Sequence, residues 1–423
     1  MRTTTAAFGV ALLIGCASWA LTQGAPQKGS TRPPVVEKEQ WREDLRYFAR
    51  ELPKRHKNLY HAVSRGEFER AVAELDQAVP SLEDHQIVVR MVQIAASVGD
   101  GHTGVHLPAY FKRYPLRLHW FGPELRVTAA GDGQASALGL RLVKIGDLGI
   151  DEVRARVATC FPSAANENEW LELNTSPAFV IVSEVLHTLG IVPDLGPASF
   201  TFEDDEGKPL VLEIAPVWLQ FVEGRPTLKL TPAVKPEDQP ITRPRPGEPL
   251  WFTYLPDSQT VYANFSSYDS LGASAKKLFQ LVDERPTKRL VIDLRQNGGG
   301  DFFVGRKHLI EPVKARPEIN QKGKLFVLVG RRTFSAAMVN AIDFRKDTQA
   351  ILVGEPIGER PNSYSENDEM TLPNSRVVVS YSTRYYQFLD EDVPAVLPDQ
   401  RIDPSWTDFA AGRDPVLDWV LAQ

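Results

Sequence analysis

The sequence predicts an α/β multidomain protein: a mostly parallel, covered sheet preceded by a helical unit and a mainly β middle region. Three observations carry this. From residue 250 onward, short and almost continuously apolar runs (TVYANF, RLVIDL, KLFVLV, AILV) alternate with helical stretches at about 269–284, 302–312 and 335–346, the pattern of strands buried on both faces. Between 37 and 98, apolar residues recur three or four apart with charges between them, the period of amphipathic helices. Between these lie short apolar runs separated by turn residues, which read as strands and hairpins.

In chain order, Arg2 and the apolar run Ala6–Ile14 resemble the core of a signal peptide, too short to span a bilayer. Residues 1–22 are therefore assigned to export, with either a lipoprotein-type box ending at Cys16 or simple cleavage after Ala20. Residues 23–36 form a polar tether. The N-terminal helical unit spans 37–108. Trp41, Leu45, Phe48 and Leu52 give a first helix ended by Pro53. Phe68, Val72, Leu75 and Val79 give a second. Ser81 can cap a third, carried by Ile87–Val98. That helix runs into Gly99-Asp100-Gly101-His102-Thr103-Gly104, where three glycines hold His102 on an irregular loop. His102 is then a turn histidine, a catalytic base, or a metal ligand with His106; Gly104 and Pro108 oppose the helix that an i,i+4 metal pair needs.

The middle region, 109–224, reads as strands at PLRLHWF, ELRVTAA and LRLVKI, helices at IDEVRARVA and ENEWLELN, and a hairpin turning at Asp205-Glu206-Gly207. Seven prolines between 225 and 249 make that stretch an extended connector. Residues 250–423 form the α/β core.

The net charge is −6, with no block of one sign, which excludes a nucleic-acid surface. Of two cysteines, one lies in the signal region. Cys160 alone supports neither a disulfide nor a cysteine metal site and reads as buried apolar filler. No metal or organic cofactor is expected.

Chemistry concentrates between 289 and 364. The strand KLFVLV turns through GRRTF into a helix that opens at Ser335-Ala336-Ala337. There Ser335 is either a helix cap or a nucleophile, and the Ala336 N–H is a helix-start donor without an intrahelical partner. The strand RLVIDL ends in Gly298-Gly299-Gly300, where backbone N–H groups can face a pocket unobstructed. Strand ends on one edge of a parallel sheet bring the two turns together. A nucleophile and an oxyanion hole are thus in reach, with Gly299 and Ala336 as donors and Gly298 and Tyr364 at the pocket.

The ordered set DLRQNGGG, VLVGRRTFSAA, LVGEPIGERPNSY, GDGHTGV, LPNSRVVVSYSTRYY and GRDPVLDWVL resembles the C-terminal processing peptidase family and its tricorn-type branch over about 41–423. The resemblance implies a serine peptidase with a ClpP/crotonase-like α/β spiral core and, at 112–160, a PDZ-like domain. One branch takes a lysine as base; its position falls on Arg360, which stays protonated. Lys346, 11 residues along the helix from Ser335, is about 16 Å of rise away. The tricorn-type branch uses a histidine from earlier in the chain, which matches His102. Its glutamate falls on Leu397, a departure, so Glu366 is the first choice for the third member, with Asp390, Glu391 and Asp392 in reserve and Glu355 structural. The expected enzyme cleaves peptide or protein substrates through Ser335, His102 and Glu366, exported to the periplasm, secreted, or lipid-anchored to a bacterial envelope through Cys16. The alternatives are a catalytically inactive peptide- or ligand-binding protein on the same fold, or an esterase or amidase.

Overall fold

The computed structural model describes residues 35–423 apart from 219–220, 223–224, 227–228, 244 and 246. The signal segment, Cys16 and the tether up to residue 34 lie outside the described residues. Among those described, no helix is long and apolar enough to cross a membrane.

The described residues begin with three helices: α1 (Lys38–Arg55), α2 (Arg65–Ala78) and α3 (Asp84–Ala96). Two local expectations fail here. Pro53 lies inside α1 rather than ending it. It stands in the last turn, where the disruption a proline causes falls on few hydrogen bonds. Ser81 caps nothing; its hydroxyl donates to the Ala78 carbonyl, and Glu83 caps α3 through a reciprocal bond with Gln86.

The middle region is a seven-stranded sheet in which Thr231–Pro232, Glu124–Ala130, Arg141–Ile145, Ala198–Glu203 and Pro209–Ile214 lie side by side. Leu116–Phe121 pairs with Glu124–Ala130, and Leu148–Gly149 with Arg141–Ile145. To this sheet the proline-rich connector contributes the two-residue strand Thr231–Pro232, at the edge, where a missing N–H is tolerated. Cys160 is free and buried.

The core sheet has the order β1 (Leu250–Leu255), β2 (Thr260–Phe265), β3 (Arg289–Asp293), β4 (Leu325–Val329), β5 (Ile351–Gly354) and β8 (Gln400–Arg401). β1 is antiparallel to β2 and every later pairing is parallel. β2, β3 and β4 are almost wholly buried, because α4 (Leu271–Glu284) and α5 (Ala336–Asp347) cover one face and α6 (Pro415–Leu421) the other. Between β5 and β8 the chain leaves the sheet as a long antiparallel hairpin, β6 (Asn362–Thr371) and β7 (Val378–Gln387).

This hairpin joins the halves of the molecule. Met370, Leu372, Val377, Val379 and Tyr381 belong to the same apolar core as Trp41 and Phe48 of α1 and Phe200 and Phe202 of the middle sheet. Helical unit, middle region and hairpin therefore bury one continuous core. The strand Gly104–Val105, just beyond His102, pairs with β7. At the hairpin tip, buried Asp44 of α1 accepts the backbone N–H groups of Asn374 (2.8 Å) and Ser375 (2.7 Å). Asp44→Ala leaves both donors unpaired and is expected to cost about 2–4 kcal/mol, measured by urea unfolding; a loss below 0.5 kcal/mol would show that this contact does not hold α1 to the tip.

Candidate active site

The turn after β4 is stitched to the turn after β3. Thr333 Oγ1 donates to the Leu294 carbonyl (2.9 Å) and accepts the Gly330 N–H (3.1 Å), and the Phe334 N–H donates to the Asn297 carbonyl (3.1 Å). Two strand ends of one sheet are thereby clamped together, and Ser335 is left at φ 53°, ψ −126°. A non-glycine residue held there is strained, and such strain collects where a side chain must be presented at a strand-to-helix turn. Gly299 lies against it: at φ 117°, a Cβ on Gly299 would sit 2.7 Å from Ser335 Cβ and 3.2 Å from its Oγ. Only glycine admits this approach.

His102 arrives from the far side. Its ring is buried and stacks on Phe334, centroids 4.8 Å apart. The loop is pinned by Asp100, whose Oδ1 accepts the His102 N–H (3.1 Å) and the Ser382 hydroxyl (2.7 Å), and by Ser382 N–H donating to Thr103 Oγ1 (3.1 Å). Nε2 of His102 lies 3.3 Å from Ser365 Oγ. Nδ1 is buried without a hydrogen-bond partner, 3.7 Å from Glu359 Oε1. The other oxygen of Glu359 accepts the Ser335 N–H. Glu359 is thus the carboxylate that faces both the histidine and the serine.

Burial keeps His102 neutral, lowering its pKa to about 4 against the opposing pull of Asp100 and the Tyr364 backbone. Burial, then the neighbouring Glu167, pushes Glu359 well above the usual carboxylate range, and the Ser335 N–H offsets only part of this. Burial would also raise Asp100, but its bonds to His56 and Ser382 outweigh that and hold it low. The result is an uncharged imidazole beside a carboxyl that burial keeps reluctant to ionise.

The structure brings Ser335, His102, Gly299 and Ala336 to one place, but not Glu366. Glu366 is exposed, its carboxylate pairs with Arg384 (2.9 Å) and it accepts the Tyr386 hydroxyl. Successive residues of a strand point to opposite faces, and Ser365 is the one that reaches His102; Glu366, at φ 53° between the pairs Ser365–Arg384 and Asn367–Ser382 of an unbroken register, stands on the exposed face. Glu366→Ala is expected to change kcat/KM by less than about twofold, since an exposed ion pair contributes little; a loss above about tenfold would return it to the site. Among the reserves, Asp392 pairs with Arg360 (3.1 Å), drawing that guanidinium away from Ser335. Glu355 pairs with Arg331, which also reaches the Trp120 carbonyl (3.0 Å). Gly298 is half-buried in the turn after β3. Tyr364 packs against His61 (centroids 4.2 Å apart) and its hydroxyl accepts from Asn58, so it supports the helical unit rather than standing open as a pocket wall.

Sequence reasoning passed over Glu359, Asp100, Ser365 and Glu167. Asp100 and Ser365 stand within two residues of named candidates, and Glu359 is next to Arg360; Glu167 carries no local signal. No hydrogen bond joins His102 to Ser335, and the Gly299 N–H donates to Asn297 Oδ1 (3.0 Å). Both contacts must change for acyl transfer, a looseness common before substrate binds.

One group of described residues offers metal-ligating atoms in proximity: His56, His61 and Asp100, all within 4.8 Å of one another. The hydrogen bonds oppose that use. His56 Nδ1 accepts the Asn58 N–H (2.9 Å), which places its proton on Nε2, pointing at Asp100 Oδ2 (2.9 Å). A ligating histidine instead donates from its second nitrogen.

No protein-family model and no curated protein sequence matches the chain. Solved structures do. Mature CPAF complexed with lactacystin superposes with a TM-score of 0.59 at 11% identity, over 91% of this chain and 98% of that one. A serine-to-alanine mutant of CPAF gives 0.60 at 12% identity, over 91% and 96%. The chain shares the fold of CPAF. The likeness extends through helical unit, middle sheet and core together, as an α/β multidomain architecture. The tricorn protease superposes less closely, with a TM-score of 0.45 at 13% identity over 91% of this chain and 36% of that one.

Proposed function

We propose that the protein is a serine peptidase acting by acyl transfer, with Ser335 as nucleophile, His102 as general base and Glu359 as the carboxylate that orients and stabilises the imidazolium. The observation that carries the reading is the convergence on a strained Ser335 (φ 53°) of a buried neutral histidine and a buried carboxyl, delivered by separate parts of the chain. Ser335 Oγ attacks the peptide carbonyl as His102 turns Nε2 from Ser365 to take the proton. The tetrahedral oxygen falls to the N–H groups of Ala336 and Gly299, the latter released from Asn297. A single such donor contributes about 3 kcal/mol to the transition state. His102 then protonates the leaving amine, and water repeats the sequence on the acyl-enzyme. Arg360 takes no part, as its position against Asp392 implies.

The reading is tested by incubating the protein, and Ser335→Ala beside it, with an unfolded protein, amide peptides and simple esters. Cleavage by the wild type alone supports it. Turnover of esters only favours the esterase reading. A second reading, a binding protein that holds peptide without cutting it, is favoured by the engaged Gly299 and Ser335 N–H groups. It is supported instead if peptide binds and no substrate is turned over. We further propose export through residues 1–22; intact-mass analysis of envelope-purified protein distinguishes a lipidated Cys16 from simple cleavage, and an unprocessed cytoplasmic chain overturns it.

A further inference from the structure

The segment Asn166-Glu167-Asn168 of the middle region is wedged between the two halves of the site. Glu167 is buried to 1% exposure. Its Oε1 accepts the Gly101 N–H at 2.6 Å, on the loop that carries His102, and its Oε2 accepts the Arg360 N–H at 3.1 Å, on the turn that carries Glu359. One carboxyl therefore bridges the backbone beside the base and the backbone beside the orienting acid. The neighbours tighten the wedge. Asn168 Nδ2 donates to the Ile357 carbonyl (3.2 Å) and the Pro394 carbonyl (3.1 Å) on the core side. A Cβ on Gly101 would meet Phe334 at 2.9 Å and Glu167 Oε1 at 3.2 Å, and one on Gly99 would meet Asn166 Nδ2 at 2.7 Å. Glycine at 99 and 101 is what lets the base loop close onto this segment.

We propose that Glu167 is a positioning residue, holding the His102 loop and the Glu359 turn in register so that base and carboxyl meet at Ser335. It touches no substrate and acts through those two backbone bonds. The proposal rests on the peptidase reading and makes the middle region part of the catalytic apparatus. The charged and titratable groups around Glu167 are Asp100 and His102 on the base loop and Glu359 and Arg360 on the core turn. Burial raises the Glu167 pKa to about 7, and its charge, once formed, opposes ionisation of Glu359.

Glu167→Gln tests this. The amide keeps the shape and one acceptor but cannot accept from both N–H groups. Expected are a fall in kcat of about 10- to 100-fold with KM within about twofold, the cost of displacing a catalytic group by a fraction of an ångström, and an acid limb of kcat/KM moved to lower pH because Glu359 loses a like-charged neighbour. Thermal unfolding at pH 5 controls for folding. If the wild type reacts with a fluorophosphonate at Ser335 while Glu167→Gln reacts equally fast with the same pH profile, the positioning role is overturned and the peptidase reading stands. If kcat falls only in proportion to lost folded protein, with the limb unmoved, Glu167 is merely structural and the proposal is equally overturned. If the wild type does not react at all, the peptidase reading itself fails.

Discussion

Ser335→Ala is expected to fold as the wild type and to lose peptide hydrolysis by about 10⁴-fold or more, and His102→Ala to lose a similar amount. Retained folding follows from what the serine side chain does in the resting protein. Among the described residues its Oγ has no hydrogen-bond partner, whereas the backbone N–H that holds the turn donates to Glu359 and survives the substitution. The stitching of the turn rests on Thr333 and Phe334. Alanine tolerates φ 53° no better and no worse than serine, so the strain is unchanged. The two losses are not additive, because nucleophile and base act as one unit; the double variant should match the worse single one. The measurement is single-turnover cleavage of a fluorogenic peptide, with circular dichroism to establish folding. A His102→Ala variant within tenfold of wild type would mean that some other group removes the Ser335 proton.

Glu359→Gln separates the orienting carboxyl from its shape. We expect kcat to fall about 10²- to 10⁴-fold, the range for removing the charge that fixes a catalytic imidazole, and two pH signatures. The acid limb of kcat/KM in the wild type reports ionisation of Glu359, since His102 is already neutral above about 4. The variant, with no carboxyl to ionise, should lose that limb and fall off only near the His102 value. An unmoved limb would show that Glu359 does not titrate in catalysis. The stability signature has a defined sign. A group whose folded pKa is raised stabilises fully below its unfolded value, and that contribution is lost as pH rises through the folded value. The wild type should therefore lose stability relative to Glu359→Gln as pH rises from about 4.5 upward. Glu167, raised to about 7, adds a loss of the same sign between about 4.5 and 7. His102 acts at the other end: its lowered pKa makes the fold lose stability as pH falls from about 6.5 to about 4.

The parts of the site that were legible in the sequence are those set by local backbone. Gly298–Gly300 after one apolar strand and Ser335 after the next announce two turns at one sheet edge, and parallel pairing of β3 with β4 fixes that they meet. His102 was legible because Gly99, Gly101 and Gly104 mark a loop that can present a side chain. The carboxylate was not. Which acid faces an imidazole from another part of the chain depends on how the β6–β7 hairpin carries Gly104–Val105, and no spacing encodes that. Glu366 is excluded because it stands on the face of β6 opposite to Ser365, the residue that meets His102. Glu359 stands beside Arg360 in a charged turn, and nothing in that local sequence distinguishes a buried acid from a solvated one. At the level of architecture, alternation of apolar strands and helices gave the core sheet, while the shared core of α1, the middle sheet and the hairpin was not visible, since it joins residues as distant as Trp41 and Tyr381. Glu167 is the extreme case: two backbone N–H groups from opposite halves select it, and neither leaves a trace in its own stretch of sequence.

The most direct test of the central claim is mass-spectrometric mapping of a fluorophosphonate adduct on the intact protein, its rate followed in wild type, His102→Ala and Glu366→Ala. The account predicts a single adduct on Ser335, formed at equal rates in wild type and Glu366→Ala and at least about 10²-fold more slowly in His102→Ala. No adduct on Ser335 in folded wild-type protein, or an adduct whose rate ignores His102, would contradict it.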